Sequence, residues 1–95
     1  MATIRSEKKV QADIVKYLKT VDGLYFNKHS DRYVKGIPDI LGCYKGCFFA
    51  IEVKKSEGGK IAPMQHWHAE RITKAGGKHI FAVNVQQVVD LITSI

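Results

Sequence analysis

The chain has 95 residues, 45% of them hydrophobic, which suffices for one small core and is too little for two domains. A formal net charge of +6 at pH 7 suits a polyanionic partner such as a nucleic acid. No apolar run reaches the length of a membrane span, and Met1 to Lys9 lacks the apolar stretch of a secretory signal; no membrane role is expected, and Cys43 and Cys47 are read as reduced intracellular thiols.

From Ser6 to Val21, apolar residues recur at Val10, Ile14, Tyr17, Leu18 and Val21, the spacing of a helix with one buried stripe. Asp22-Gly23 ends it, and Leu24 to His29 reads as a first strand. A polar loop, Ser30 to Gly36, leads to Pro38, which keeps Ile37 extended, and a second strand runs from about Asp39 to Tyr44. Lys45-Gly46 makes a short turn, so the next run, Cys47 to Lys54, pairs antiparallel with it. The apolar stretch Cys47-Phe48-Phe49-Ala50-Ile51 is expected to be buried. After Ser56 to Lys60, a polar loop, Pro63 suits the first turn of a second helix with Met64, Trp67, Ile72 and Ala75 facing inward, stopped by Gly76-Gly77. His79 to Val83 is a strand, parallel to the third because a helix separates them. Asn84 caps a last helix, with Gln87 reaching back and an apolar face of Val88, Val89, Leu91, Ile92 and Ile95. The expected fold is α/β, in the order αβββαβα around a small mixed sheet.

Chemistry concentrates in Gly36-Ile37-Pro38-Asp39 and Ile51-Glu52-Val53-Lys54. Alternation along a strand points Glu52 and Lys54 to one face while Ile51 and Val53 pack on the other. Neither an acid nor a lysine is cheaply buried without a partner, a metal or a ligand. The hairpin brings Asp39, at its open end, close to both. Glu7 is in phase with Val10 and Ile14, and Gln65 sits where the second helix opens, so each can approach the same point. Taken singly, each has an ordinary reading: Glu7 as a first-turn charge on the helix dipole, Gln65 as a solvated helix residue, Asp39 as a strand-start residue, Glu52 with Lys54 as a weak surface ion pair.

The order of Glu7, Pro38-Asp39, Glu52-Val53-Lys54 and Pro63-Met64-Gln65 resembles the PD-(D/E)xK nuclease superfamily, and within it the compact virus-type replication-repair nuclease domain, VRR-NUC. The resemblance covers nearly the whole chain from Glu7 onward and implies one VRR-NUC-like domain over 1–95 with a restriction-endonuclease-like core. It further implies a metal-dependent endonuclease cutting DNA. Phosphodiester hydrolysis needs an attacking hydroxide, charge neutralisation on the phosphate and a stabilised leaving alkoxide, all of which a hard divalent cation serves. Mg²⁺ is the expected cofactor, with Mn²⁺ as a substitute and no small-molecule cofactor. Asp39 and Glu52 are its expected ligands, with the Val53 carbonyl completing the set as the resemblance implies and Glu7 reaching the centre directly or through water. Lys54 is expected to orient the nucleophile and offset charge on the phosphate, and Gln65 to hydrogen-bond the attacking water or the phosphate.

Lys8, Lys9, Arg32, Lys35, Lys55 and Lys60 flank these motifs and are the expected DNA contacts. Tyr33 is a candidate for base stacking, whereas Trp67 is assigned to the core. A zinc site of Cys43 and Cys47 with His66 and His68 is a minor alternative. Stand-alone chains of this kind resemble phage enzymes and are similar to Holliday-junction resolvases that work as two-fold dimers, which implies branched DNA, a homodimer and a bacterial or phage-infected cytoplasm. The last helix and Phe48-Phe49 are candidate dimer surfaces, although the core is the first expectation for both. The rival readings are a flap or duplex nuclease, a nuclease acting on RNA, and a DNA-binding module that keeps the fold without the chemistry.

Overall fold

The computed structural model describes residues 6–29, 34–55 and 59–95. Helix α1 (Glu7–Leu18) opens on Ser6, whose hydroxyl oxygen accepts from the Lys9 amide at 3.2 Å; the cap satisfies an otherwise orphaned N–H and leaves Glu7 in the turn where a carboxylate is favoured. Val10, Ile14 and Leu18 form its buried stripe. The helix stops short of Val21, which lies in the following turn and packs half-buried on the core.

Strands β1 (Leu24–Lys28), β2 (Ile40–Tyr44), β3 (Cys47–Val53) and β4 (Lys78–Ala82) form one sheet in the order β1-β2-β3-β4. The first three are antiparallel, and β3 pairs parallel with β4 through helix α2 (Pro63–Lys74). Lys45 and Gly46 both take positive φ, 51° and 77°, as a two-residue hairpin turn matched to strand twist demands. Helix α3 (Val85–Thr93) begins at Asn84, whose side chain accepts from the Gln87 amide at 2.9 Å. Gln87 reaches back one residue farther than a capping box requires, accepting from the Val83 amide at 2.7 Å. The αβββαβα order and the mixed sheet are those expected.

The two sheet faces differ. On one, Ile40, Phe49, Ile51, Val53 and Ala82 interleave with Val10, Ile14 and Leu18 of α1 and Val88 and Ile92 of α3, making the core. The other is only partly covered. Helix α2 lies over the β4 side, where the His66 ring meets Phe81 edge-on at 5.7 Å between centroids, and no α2 residue is fully buried. Over β1 and β2 this face is open, with Tyr25, Cys43 and Phe48 in one cross-strand row beside a hollow of about 340 Å³ that Asn27 and Leu41 also line.

Several packing expectations are corrected by this arrangement. Met64, Trp67 and Ala75 face outward, Trp67 being 49% exposed with the Arg71 guanidinium 5.5 Å from its ring. The inward side of α2 carries Gln65, His68, Ala69 and Ile72. Phe48 is 43% exposed because strand alternation sends it to the open face while Phe49 enters the core. Cys43 stands opposite Phe48 and Cys47 opposite Tyr44, so the thiols point to opposite faces and cannot share a zinc ion.

A candidate metal and phosphate centre

The centre forms where the β2–β3 ladder ends. Continuing the pairing of Ile40 with Ile51 by two residues sets Pro38 opposite Val53. The buried Pro38 starts the strand approach but offers no N–H. Asp39 takes over: its backbone carbonyl accepts from the His29 amide at 2.7 Å, extending the ladder toward β1, while its Oδ2 accepts from the Val53 amide at 2.7 Å. The carboxylate is thereby pinned at the mouth between two strands. A strand residue's N–H and C=O point to the same side, so the Val53 carbonyl is turned toward Asp39 as well.

Glu52 and Lys54 are 5% and 7% exposed, an unusual depth for either. Gln65 joins them. Its Oε1 accepts from Lys54 Nζ at 2.7 Å and from the Ala62 amide at 2.9 Å, and its Nε2 donates to Glu52 Oε1 at 3.0 Å. The bond to Ala62 is the reaching-back half of a capping box at the N-terminus of α2; Ala62 has no side-chain acceptor to make the other half. One amide therefore fixes the start of a helix, the lysine ammonium and one oxygen of the buried glutamate. Gly59 packs beside the Lys54 stem.

The other glutamate oxygen, Oε2, is buried with no hydrogen-bond partner. Burial, then the adjacent Asp39 carboxyl, pushes the Glu52 pKa up from 4.5 to about 8; Lys54 opposes the rise and Glu7 adds to it. Two carboxyls held against one another, one of them with an orphaned oxygen, form a donor set that a divalent cation would complete. The residues fit a hard oxygen-preferring cation: Asp39, Glu52 and the Val53 carbonyl supply oxygens only. Glu7, exposed in the first turn of α1, is within electrostatic reach of Glu52. Among the described residues no three His, Cys, Asp or Glu side chains converge as metal ligands, so Glu7 stands apart from the Asp39–Glu52 pair.

Gly36, in the Gly-Ile-Pro-Asp run, has a structural task that its spacing did not disclose. Its φ is +82°, and a Cβ there would lie 2.6 Å from the Met64 carbonyl carbon. The turn before Asp39 thus sits directly on the first turn of α2, which carries Gln65. Farther along the inward side of α2, His68 and the β4 residue His79 hold buried, unpartnered Nε2 atoms, and burial followed by the charge of His68 keeps the His79 pKa below its usual value. In this seam between α2 and β4 the His79 ring meets Phe81 edge-on at 4.7 Å between centroids.

Of the expected DNA contacts, Lys35, Lys55 and Lys60 are exposed on the segments bordering the centre. Lys8 lies on the outer face of α1, and Lys9 is paired with Asp13 at 3.4 Å. Arg32 and Tyr33 fall outside the described residues. Among the described residues no helix is long and apolar enough to cross a membrane.

Comparison with solved structures finds a protein described as a VRR_NUC domain, 30% identical in sequence, which matches with a TM-score of 0.76 over 94% of this chain and 96% of that one. No protein-family model and no curated protein matches the sequence.

Proposed function

The chain belongs to the VRR-NUC family, with a nuclease-type fold, and we propose that it is a Mg²⁺-dependent, structure-selective DNA endonuclease that acts as a homodimer on branched DNA, the four-way junction foremost. The observation carrying this reading is the buried, orphaned Glu52 Oε2 beside Asp39, with Lys54 fixed next to them by Gln65. Asp39, Glu52 and the Val53 carbonyl would hold the ion. When bound, it supplies charge at the scissile phosphate and a water made acidic enough to attack near neutral pH.

The protein's own residues do the remaining work. Lys54 Nζ, tied to Gln65 Oε1, keeps donors free for a phosphate oxygen and offsets the negative charge that accumulates as the phosphorus takes a fifth oxygen. Gln65, with both ends of its amide engaged, acts by holding Lys54 and Glu52 in place. Glu7 adds negative potential that favours a cation over a bare pair of carboxylates. Lys35, Lys55 and Lys60 would meet neighbouring phosphates.

A homodimer is favoured by the open half of the sheet, where Tyr25 and Phe48 present apolar surface beside the hollow. Two copies would set two centres across one branched substrate. The deciding experiment incubates the purified protein with matched four-way junction, flap and linear duplex DNA, in Mg²⁺ and in chelator. Symmetric paired nicks in the junction, absent with chelator, are the expected result. Metal-dependent cutting of flap or duplex in preference to the junction would keep the nuclease and discard the resolvase, and binding without cutting would favour an inactive DNA-binding module.

A further inference from the structure

Away from the carboxylate centre, the outer face of α1 and the edge strand β1 enclose a groove of about 570 Å³ lined by Lys8, Gln11, Ala12, Val15, Lys16, Lys19 and Lys28. The helical members follow the i, i+3, i+4 spacing of one face, which flanks the stripe of Val10, Ile14 and Leu18 and shares with it Val15, packed half-buried on the core. Among the described residues no carboxylate lines the groove. Among the described residues, none of its four lysines is in an ion pair, in contrast to Lys9, which is held by Asp13. Ala12 and Val15 give the lysine stems an apolar floor, which leaves the ammonium groups toward solvent.

Its position relates it to the centre. Lys8 follows Glu7, which is in electrostatic reach of Glu52, and Lys28 is paired with Ile40, next to Asp39. The groove therefore begins at the catalytic end of the sheet and runs away along α1. From Lys8 to Lys19 the helix rises roughly 16 Å, the axial span of about five phosphates of one DNA strand. Unpaired cations in a concave track of that length fit a phosphodiester backbone, whose fixed charges exceed what separate small anions would need.

We propose that this groove is a second nucleic-acid contact, a track for the backbone of the substrate arm that leaves the cleavage centre along α1. It rests on the reading of the chain as a DNA nuclease, and it adds Lys16, Lys19 and Lys28 to the residues that hold substrate.

The test measures equilibrium binding of labelled duplex and four-way junction DNA in chelator across a salt series. It compares wild type with the triple variant K16A/K19A/K28A and a charge-matched control, K45A/K74A/K78A, whose lysines lie elsewhere. Each lost phosphate contact lowers the slope of log affinity against log salt by about 1. The groove variant should lose about 3 with weaker binding, the control close to none, and thermal unfolding of both should match wild type. A K16Q/K19Q/K28Q variant repeats the measurement without shortening the side chains. Equal losses in groove and control variants would overturn the track in favour of general surface charge, as would an unchanged slope in the groove variants. Cleavage in Mg²⁺ is scored separately. Unchanged slopes with cutting would remove the track and leave the nuclease; groove-dependent binding with no cutting would keep the track and remove the nuclease.

Discussion

Glu52 retains its proton up to about pH 8 in the fold, whereas an ordinary glutamate releases it near 4.5, and burial is the larger cause, ahead of the Asp39 carboxyl. Between those values the folded chain binds more protons than the unfolded one, so the Glu52 contribution to metal-free stability falls as pH rises through that window. A divalent cation needs the ionised form, so at pH 7 its binding should release close to one proton, and its affinity should climb until pH passes 8. Calorimetry of Mg²⁺ binding in two buffers of different ionisation heat measures this directly; proton-independent binding would contradict the assignment of Glu52 as a ligand. Glu52→Gln separates chemistry from stability at the same position. Its amide can donate to Asp39 as the protonated carboxyl does, without the cost of holding a proton that an unfolded glutamate releases well below pH 7. The metal-free variant should gain about 1 kcal/mol, or about 4–8 °C in Tm, while Mg²⁺-dependent cleavage and Mg²⁺-induced stabilisation disappear. A variant that unfolds earlier, or still cuts, would refute the argument. Asp39, Glu52 and Lys54 were legible in the sequence because alternation and hairpin pairing determine where they point. The partners of Gln65 were not, since its bonds to Lys54 and Glu52 depend on how closely α2 approaches β3 across a loop.

Helix α2 is the element whose existence was plain and whose orientation was not. Pro63 and Gly76-Gly77 mark its ends, but its large apolar residues suggested an inward stripe of Met64 and Trp67 that the fold reverses. Hydrophobic periodicity identifies a buried face only when burial selects the residues; here the inward positions are occupied by Gln65 and His68, which serve the centre and the seam. Gln65 and Trp67 stand about 200° apart around the helix, so directing the amide to Glu52 turns the indole to solvent. Trp67→Ala should therefore cost less than about 1 kcal/mol in thermal unfolding, against the about 3–5 kcal/mol of a buried tryptophan. A cost in the latter range would restore the inward reading. Gly36→Ala tests the opposite contact of the same helix. A positive φ costs an alanine about 1–2 kcal/mol, and the new methyl would press on Met64 backbone, where overpacking adds about 1–3 kcal/mol. Loss of about 2–5 kcal/mol in denaturant unfolding is expected, with cleavage falling further because α2 must shift and carry Gln65 off Lys54. Wild-type stability and cleavage in that variant would show that the turn and the helix are not coupled.

At the scale of the molecule, the order of elements followed from pattern and turn signals, because strands and helices here are set by local residues such as Lys45-Gly46 and Asn84. How much of the sheet α2 covers did not follow, since coverage depends on helix placement, and the uncovered half decides how copies can associate. A stable dimer commonly buries about 800 Å² on each partner, roughly an eighth of this chain's surface of 6436 Å². Tyr25 and Phe48 flank Cys43 across the open half and line its hollow together with Asn27 and Leu41. An aromatic ring already exposed in the protomer can be made acidic at small cost to folding, within about 1 kcal/mol even on a strand, whereas two such charges brought face to face in an apolar interface are strongly disfavoured. Phe48→Asp should therefore remain folded, run as a monomer in light scattering at concentrations where wild type is dimeric, and convert paired junction cuts into single nicks. A monomeric wild type would remove the homodimer from the proposal. A Phe48→Asp protein that dimerises as tightly as wild type would move the interface off the open half of the sheet, and not onto the apolar face of α3, which is packed into the core.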